Sequence, residues 1–279
     1  MYNAACKMVL GVAVAGLMFS CGPSAQERHA AELLGEAQAK YDLKDYHASM
    51  TALDSLDARC AEVLDVRRKG MELRARNMEA LTMVEIPRID SMRCVAQLAV
   101  DSLAPHFVEI TNNVGLESYY VPKGSEKEFG NVSGIQPRVS QEGLFYIAAN
   151  VQGRRIGLRT LDFGGAATKA LAPDRVIEVE GSEIASYLPE DVEDVATWVL
   201  ATSGPLSLDM VGEKGKVSVK IPAAGADRIR TAVHYADARQ ALRTANIRRE
   251  QLERRLQIAR DQAAALAGFD DKDKSPVAE

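Results

Sequence analysis

The sequence predicts an α+β protein in which long helices at both ends of the chain flank a central β domain. Three observations support this fold class. The stretch from Asp227 to Gly268 has no proline, no interior glycine and many residues that favour helices. Residues 30–103 carry apolar side chains at helical spacing. Residues 106–222 instead form short apolar runs separated by turn residues.

The C-terminal stretch carries a seam of residues with alternating steps of three and four. A helix of this length spans roughly 60 Å at 1.5 Å per residue, and a seam that long needs a partner helix. We therefore predict that residues 223–269 pack on an N-terminal helical arm, residues 21–105, as a coiled-coil-like arm. Residues 270–279 are polar and are predicted to be a disordered tail. The seam residues are Tyr235, Ala238, Leu242, Ala245, Arg249, Leu252, Leu256, Ala259, Ala263 and Leu266.

The N-terminal arm is predicted to contain three helices. The first two run from Ala30 to Tyr41 and from Tyr46 to Met83. Pro87 is expected to break or kink the path, because proline lacks the N–H that a helix interior requires. The third helix is then predicted from Arg88 to Leu103, with Pro105 ending it.

Residues 106–222 are predicted to form an antiparallel, β-sandwich-like domain or a small barrel. No long helical pattern separates the predicted strands, which argues against a parallel α/β sheet. Lys123–Gly134 is predicted to be a mobile loop. The predicted strands are His106–Thr111, Glu117–Val121, Leu144–Asn150, Arg155–Phe163, Arg175–Glu180, Val195–Thr202, Leu206–Val211 and Lys216–Ile221.

The first 20 residues match a secretory signal peptide. One charge, Lys7, precedes an apolar run from Met8 to Phe19, which is shorter than the roughly 20 residues that span a bilayer. The run ends Leu17-Met18-Phe19-Ser20-Cys21, which resembles a bacterial lipobox. This resemblance implies that Cys21 is lipidated and becomes the new N-terminus. An ordinary signal peptide cut elsewhere and an uncleaved anchor are the alternatives.

The lipobox, the two helical arms and a recurring apolar-Asp-Ser-apolar motif resemble uncharacterised coiled-coil and β-domain lipoproteins of Gram-negative bacteria. The motif occurs at Leu53–Leu56, Ile89–Met92 and Val100–Leu103. The resemblance implies an envelope location and an architecture, and it implies no activity or site residues. Because Gly22–Arg28 shows no acidic run that could be a surface-export signal, we expect an outer-membrane lipoprotein that faces the periplasm.

Composition and motifs exclude several classes of function. Without residues 1–20 the chain has 33 basic and 39 acidic residues, and this mild acidity argues against nucleic-acid binding. No histidine pair has metal-ligand spacing, no glycine-rich phosphate loop follows a strand, and no catalytic constellation is recognisable. We therefore predict no enzyme activity, metal or cofactor. Acidic pairs such as Asp191 and Asp194 are typical of solvated loops, although they are also compatible with acid–base or calcium chemistry.

The two remaining cysteines, Cys60 and Cys94, lie in predicted helices. A disulfide and a pair of buried reduced side chains are both compatible with an oxidising compartment. A turn near Pro87 would place Cys94 opposite residues near position 80 and not opposite Cys60. This placement favours two buried, reduced cysteines over a disulfide.

Two sets of residues are candidate binding sites. Residues 228–260 contain nine arginines and three acids, and a face with Arg248, Arg249, Arg254 and Arg255 is a candidate interaction face for the chain's own β domain, a second subunit, a protein partner or anionic lipid. A solvated helix face with spaced pairs such as Glu250 and Arg254 is the alternative. Arg249 lies on the seam, so its charge needs a partner or a route to solvent. Tyr119, Tyr120 and Trp198 are candidate ligand-binding aromatics, although core packing is their commoner role.

Two functions are compatible with these observations. One is a membrane-anchored, non-enzymatic interaction or scaffold protein that binds a protein partner or self-associates through its arms. The other is a glycan- or small-ligand-binding lipoprotein that uses its β domain, an expectation by analogy with other sandwiches.

Overall fold

The structure is a computed structural model that describes residues 23–111, 118–164 and 170–272. The predicted signal peptide, Cys21 and residues 273–279 lie outside these ranges. The chain divides into two compact units. The first unit contains the residues up to Leu81 and those from Ile258 onward, and the second contains Thr82–Gln257.

The predicted α+β class is confirmed. Long helices near both ends of the chain accompany two antiparallel sheets. The helices are α1 (Ala25–Asp42), α2 (Tyr46–Arg59), α3 (Leu64–Leu103), α4 (Ser125–Glu128), α5 (Pro189–Ala201) and α6 (Ala223–Lys272). Because α6 continues to Lys272, the prediction that residues 270–272 belong to a disordered tail is wrong.

In the first unit, α1 and α2 form a helical hairpin with a buried core. A capping box, in which Ser24 and Glu27 each accept a hydrogen bond from the other's backbone N–H, begins α1. The core includes Leu53, Leu56 and Cys60. Contrary to the prediction, α2 ends at Arg59, and a short turn precedes α3. The sequence of this turn contains neither glycine nor proline, so it carries no ordinary turn signal.

Helix α3 continues through Pro87, so the predicted break there is wrong. Pro87 lies on the exposed side of the helix. Its missing N–H deprives only the carbonyl of Met83, itself an exposed residue, of an intrahelical donor. A solvated carbonyl costs little, which explains why the helix tolerates this proline. Helix α3 ends at Leu103, as predicted, and Pro105 lies in the 3-10 turn that follows.

The predicted seam of α6 is confirmed, because all ten of its residues are buried or half-buried. In the second unit, Tyr235, Ala245 and Leu252 are almost fully buried, and in the first unit Ala259 is fully buried. Arg249 on the seam has the partner that its charge requires. Its Nε donates to Asp90 of α3 at 3.0 Å.

The second unit contains two antiparallel sheets. The six-stranded sheet has the order β1-β2-β3-β4-β7-β6, and the three-stranded sheet has the order β5-β8-β9. The strands are β1 (Phe107–Ile110), β2 (Tyr119–Pro122), β3 (Gly134–Ser140), β4 (Phe145–Val151), β5 (Leu158–Phe163), β6 (Arg175–Val179), β7 (Ser182–Tyr187), β8 (Leu206–Gly212) and β9 (Gly215–Ile221).

Several predictions for this region are wrong. Val195–Thr202 was predicted as a strand, but these residues belong to α5 and its C-terminal cap. Strands β3 and β7 were not predicted. The predicted loop Lys123–Gly134 contains the short helix α4.

One face of the six-stranded sheet forms the core with the other sheet, α5 and the start of α6. Ile147, Phe163, Val195 and Ile229 belong to this single cluster. Tyr187 is also in it, and burial raises the pKa of its hydroxyl far above the usual value near 10. The opposite face, which we call the outer face, carries the alternate side chains of β3 and β4.

The turn between β3 and β4 packs closely on α6. Gly143 in this turn has a φ of +90°, and a Cβ there would lie 2.6 Å from the backbone nitrogen of Gln240. Arg239 of α6 donates to the carbonyl of Gln141 at 2.7 Å, and Arg243 pairs with Glu142 at 2.7 Å. Only glycine allows this approach, so the turn fixes the sheet against α6 within the second unit.

Candidate functional site

The structure does not bring the three predicted ligand-binding aromatics together. Trp198 lies on α5, where its ring packs edge-on against Phe163 at a centroid distance of 5.9 Å. Its indole therefore contributes to the core between the sheets. This position favours the packing alternative for Trp198 over a role in ligand binding.

The ring of Tyr120, on β2, packs against α6. Its ring meets Tyr235 edge-on at 5.7 Å, and the guanidinium of Arg239 lies 4.3 Å from its ring centroid. These contacts occupy the ring on the core side of the sheet.

Tyr119 projects to the outer face and joins a group that we call the outer-face cluster, formed by Tyr119, Phe129, Arg138 and Tyr146. The Arg138 guanidinium lies 4.5 Å from the Tyr119 ring centroid and 5.2 Å from that of Phe129. Tyr119 and Tyr146 meet edge-on at 6.2 Å. The cluster therefore combines three aromatic rings with one cation.

Arg138 is held in place by its neighbours. Its Nε donates to Gln136 at 2.9 Å, and Gln136 in turn donates to the carbonyl of Ser125 at 3.1 Å. Burial lowers the pKa of Arg138 from its ordinary value, while the nearby Tyr119 and Tyr146 oppose that shift. Among the described residues, no carboxylate pairs with this guanidinium. Its geometry suits an anionic or hydroxyl-rich ligand, because guanidinium forms charge-assisted hydrogen bonds and aromatic rings stack on sugars.

A cleft of about 300 Å³ lies between β3, β9 and the first turns of α6. Its lining is largely apolar and includes Phe129, Ile135 and Ile221. At its rim, one terminal nitrogen of Arg228 donates to both carboxylate oxygens of Glu128, at 2.9 and 3.0 Å. The volume is at the lower end for small-molecule sites.

Three of the four predicted interaction arginines pair with acidic residues of α3. Arg248 and Arg255 pair with Glu85 of α3 at 2.9 and 3.9 Å, and Arg249 pairs with Asp90. Arg254 differs, since its side chain is 77% exposed and its partner among the described residues is Glu250 of the same helix, one turn earlier. The arginine face therefore joins α6 to α3, and these arginines do not bind the described residues of the β domain, which was the internal alternative.

The side of α3 that faces away from these ion pairs is apolar and exposed. Val84, Val95 and Leu98 are 66%, 68% and 64% exposed, and Pro87 is exposed beside them. We call these four residues the outer stripe. They fall on one face because the intervals between 84, 87, 95 and 98 return to the same side of an α-helix. Sequence reasoning missed the stripe because a break at Pro87 would separate Val84 from the other two.

The two described cysteines are both free. Cys60 is buried in the first unit and Cys94 is exposed in the second. The expectation of a buried pair is therefore correct for Cys60 and wrong for Cys94.

Metal binding and acid–base chemistry were the alternatives that the sequence allowed for acidic pairs. In the part of the chain that the structure describes, no three His, Cys, Asp or Glu side chains form a group that could hold a metal ion. Asp191 and Asp194 are exposed in α5 instead of in a loop. Among the described helices, none is both long and apolar enough to cross a bilayer.

Comparisons of the chain with protein-family models, with curated proteins and with solved structures find no match.

Proposed function

We propose that this chain is a membrane-anchored, non-enzymatic interaction or scaffold protein of the Gram-negative cell envelope. In this proposal, lipid on Cys21 tethers it to the outer membrane, and the protein faces the periplasm. The exposed outer stripe of α3 is the single observation that carries the interaction function. The lipobox that ends at Cys21 supports the tether.

The stripe is unusual because α3 already has a packed side. Glu85 and Asp90 on that side pair with arginines of α6, and Ala96 and Val100 are buried there. A helix that packs on one neighbour needs only one apolar face. A second apolar face that is about two-thirds exposed indicates a surface for another helix or protein.

The energetic gain from covering the stripe is large enough to support association. Complete burial of one valine or leucine side chain contributes about 1.5–3 kcal/mol, and Val84, Val95 and Leu98 would each bury most of their surface. A lipid anchor adds to this effect, because it confines the protein and its partner to one surface and raises their effective concentration.

A photo-crosslinking amino acid at position 95 tests this proposal in intact cells that produce the full chain. We expect a reproducible crosslinked product from Val95, because that side chain would lie inside the interface. The same amino acid at Leu43, which is 76% exposed in the turn after α1, is the matched control and should yield no product. Absence of a product at position 95, with normal membrane levels of the chain, would remove the stripe from the proposal.

Binding of a glycan or small anionic ligand is a second candidate function, and the outer-face cluster is the observation that favours it. We expect a uronic-acid oligosaccharide to bind the full chain and Arg138→Met to weaken that binding at least tenfold, since a charge-assisted hydrogen bond contributes about 1.5–3 kcal/mol. Calorimetric titration measures this effect. Tyr120→Phe is the control, because Tyr120 packs against α6 on the other side of the sheet. Equal affinities of the wild type and Arg138→Met would reject the cluster as the site.

A further inference from the structure

We infer that the cleft between β3, β9 and α6 binds an extended peptide segment, which adds an antiparallel strand to the free edge of β9. The segment that fits carries an acidic residue between two apolar residues, and an apolar side chain enters the cleft. This site is separate from the outer stripe of α3 and from the guanidinium of Arg138.

The outward-facing backbone groups of β9 follow from the strand registers. Among the described strands, β9 pairs with β8 on one side and with none on the other. Leu161 of β5 exchanges both backbone hydrogen bonds with Leu171, at 2.9 Å each, so Leu161 faces away from β8. Bonding direction alternates along an antiparallel ladder, so the registers of β5 with β8 and of β8 with β9 fix the rest. Lys216, Ser218 and Lys220 consequently direct their backbone N–H and C=O groups to the free edge.

A hydrogen bond at this edge supports the same direction. One terminal nitrogen of Arg154 donates to the carbonyl of Lys216 at 3.3 Å, from the side away from β8. Among the described residues, nothing equivalent reaches the backbone of Ser218 or Lys220. An edge with unpaired N–H and C=O groups is a template for another strand. The part of the β9 edge at Ser218 and Lys220 is therefore open to strand addition.

The cleft lies directly beside this open edge. Val219, Lys220 and Ile221 line it from β9, and Ile135 and Pro137 line it from β3. Its volume of about 300 Å³ corresponds to roughly ten water-sized groups at about 30 Å³ each. This is enough for one leucine or phenylalanine side chain and the peptide unit that carries it.

The opposite wall of the cleft favours a peptide over a purely aliphatic ligand. The N–H of Ser140 donates to the carbonyl of Leu144 across the β3–β4 turn at 2.9 Å, so Ser140 faces β4. Ile135 lies an odd number of residues away and faces away from β4. Strand β2 pairs with β3 only at Val139 and Ser140, so Ile135 has no described strand partner on that side. An aliphatic ligand would leave these backbone groups unsatisfied, whereas a peptide supplies matching donors and acceptors.

Charge and side-chain alternation select the sequence of the segment. Lys220 is exposed, and no described acid pairs with it, whereas Lys216 on the same face of β9 pairs with Asp209. A residue opposite Lys220 in an added strand lies on the same face, where an acidic side chain forms a favourable cross-strand pair. Its two neighbours point to the other face, that of Val219 and Ile221, and therefore toward the cleft.

A capped, fluorescein-labelled peptide with the sequence Thr-Leu-Glu-Leu-Thr tests the site by fluorescence anisotropy with the full chain. We expect saturable binding. The same peptide with a methyl group on the glutamate nitrogen should bind at least about tenfold more weakly, because it cannot donate to the carbonyl of Lys220 but keeps every side chain. A peptide with lysine in place of glutamate should bind at least about threefold more weakly.

A charge reversal in the chain tests the register. Lys220→Glu should bind the lysine peptide more tightly than the glutamate peptide, which is the opposite of the wild-type preference. Lys214→Glu is the matched control, because Lys214 is an exposed lysine of the β8–β9 turn that does not line the cleft. It should keep the wild-type preference. An unchanged unfolding midpoint, followed by the fluorescence of Trp198, shows that both variants are folded.

Three results would overturn the inference. Equal affinities for the glutamate peptide and its N-methylated form would show a pocket that binds side chains without strand addition. A preference that Lys220→Glu does not reverse would reject the pairing opposite Lys220. No saturable binding up to roughly 1 mM peptide would reject the site altogether, and it would leave the crosslink expected from position 95 unaffected.

Discussion

Replacement of Arg230 by alanine is expected to destabilise the second unit by about 3 kcal/mol, because several charge-assisted hydrogen bonds are lost together. Nε of Arg230 donates to the carbonyl of Val199 at 3.1 Å, and its Nη2 donates to those of Thr202 and Gly204 at 2.6 and 3.0 Å. These carbonyls lie at the end of α5 and just after it, where the helix leaves acceptors without intrahelical donors. Because the Arg230 side chain is only 16% exposed, solvent screens these bonds little.

The fluorescence of Trp198, the only tryptophan of the chain, measures this effect in thermal unfolding, because Trp198 lies on α5. We expect the midpoint to fall by roughly 6–12 °C. Arg230→Lys should lower the midpoint by less than Arg230→Ala does, because lysine keeps the positive charge. It should still lower the midpoint, because lysine lacks the several fixed N–H donors of the guanidinium. Arg254→Ala removes an exposed arginine of the same helix and should change stability by less than about 0.5 kcal/mol. Equal midpoints for Arg230→Ala and Arg254→Ala would contradict the capping role.

Glu183→Ala is expected to lower the stability of the second unit by about 4 kcal/mol, which is the largest effect that we expect from a single substitution. Glu183 is 1% exposed, and its two carboxylate oxygens accept from the backbone N–H groups of Gly157 and Leu158 at 2.7 and 3.1 Å. Glu183 belongs to β7 of one sheet, whereas Leu158 begins β5 of the other. Its removal leaves two donors unsatisfied, that of Leu158 buried and that of Gly157 half-buried, and a cavity between the sheets.

Glu183→Gln distinguishes the contribution of the hydrogen bonds to stability from the contribution of the side-chain volume. It keeps the shape but turns one acceptor into a donor that faces an N–H group, so we expect a loss of about 2–3 kcal/mol. Amide hydrogen exchange at Gly157 and Leu158 should accelerate in both variants. Glu178→Ala is the control, because Glu178 lies opposite Glu183 on β6 but is exposed and pairs with Arg155 at 2.8 Å. Unchanged exchange in Glu183→Gln would show that the carboxylate does not join the sheets.

The long helices were predictable because their signal is repeated many times. The seam of α6 has ten positions, so the single charged residue, Arg249, did not obscure its period. Helix α5 was misassigned because it contains three buried β-branched residues, Val192, Val195 and Val199, which favour strands. Its start did carry a helix signal, namely Pro189 followed by two acids.

The two strands that we did not predict, β3 and β7, lack the sequence features by which strands are usually recognised. Strand β3 contains Pro137, which is tolerated because β2 pairs with β3 only at Val139 and Ser140 and does not reach it. Strand β7 contains the charged residue Glu183 at a buried position, so its sequence does not alternate between apolar and polar residues. Because Arg138 lies on β3, missing that strand also concealed the outer-face cluster.

The outer stripe could not be read from the sequence for a different reason. Its apolar residues are divided by Pro87, whose effect on a helix depends on whether its side of the helix is packed or solvated. That information comes only from tertiary structure.

The two sides of α3 have opposite responses to ionic strength. On one side, Glu85 and Asp90 hold α6 through ion pairs whose side chains are partly exposed, and added salt screens such pairs. On the other side, the outer stripe has only apolar residues to bury, and excluded salts such as sulfate strengthen that burial. Added sulfate therefore weakens the contact between α3 and α6 while it favours burial of the outer stripe.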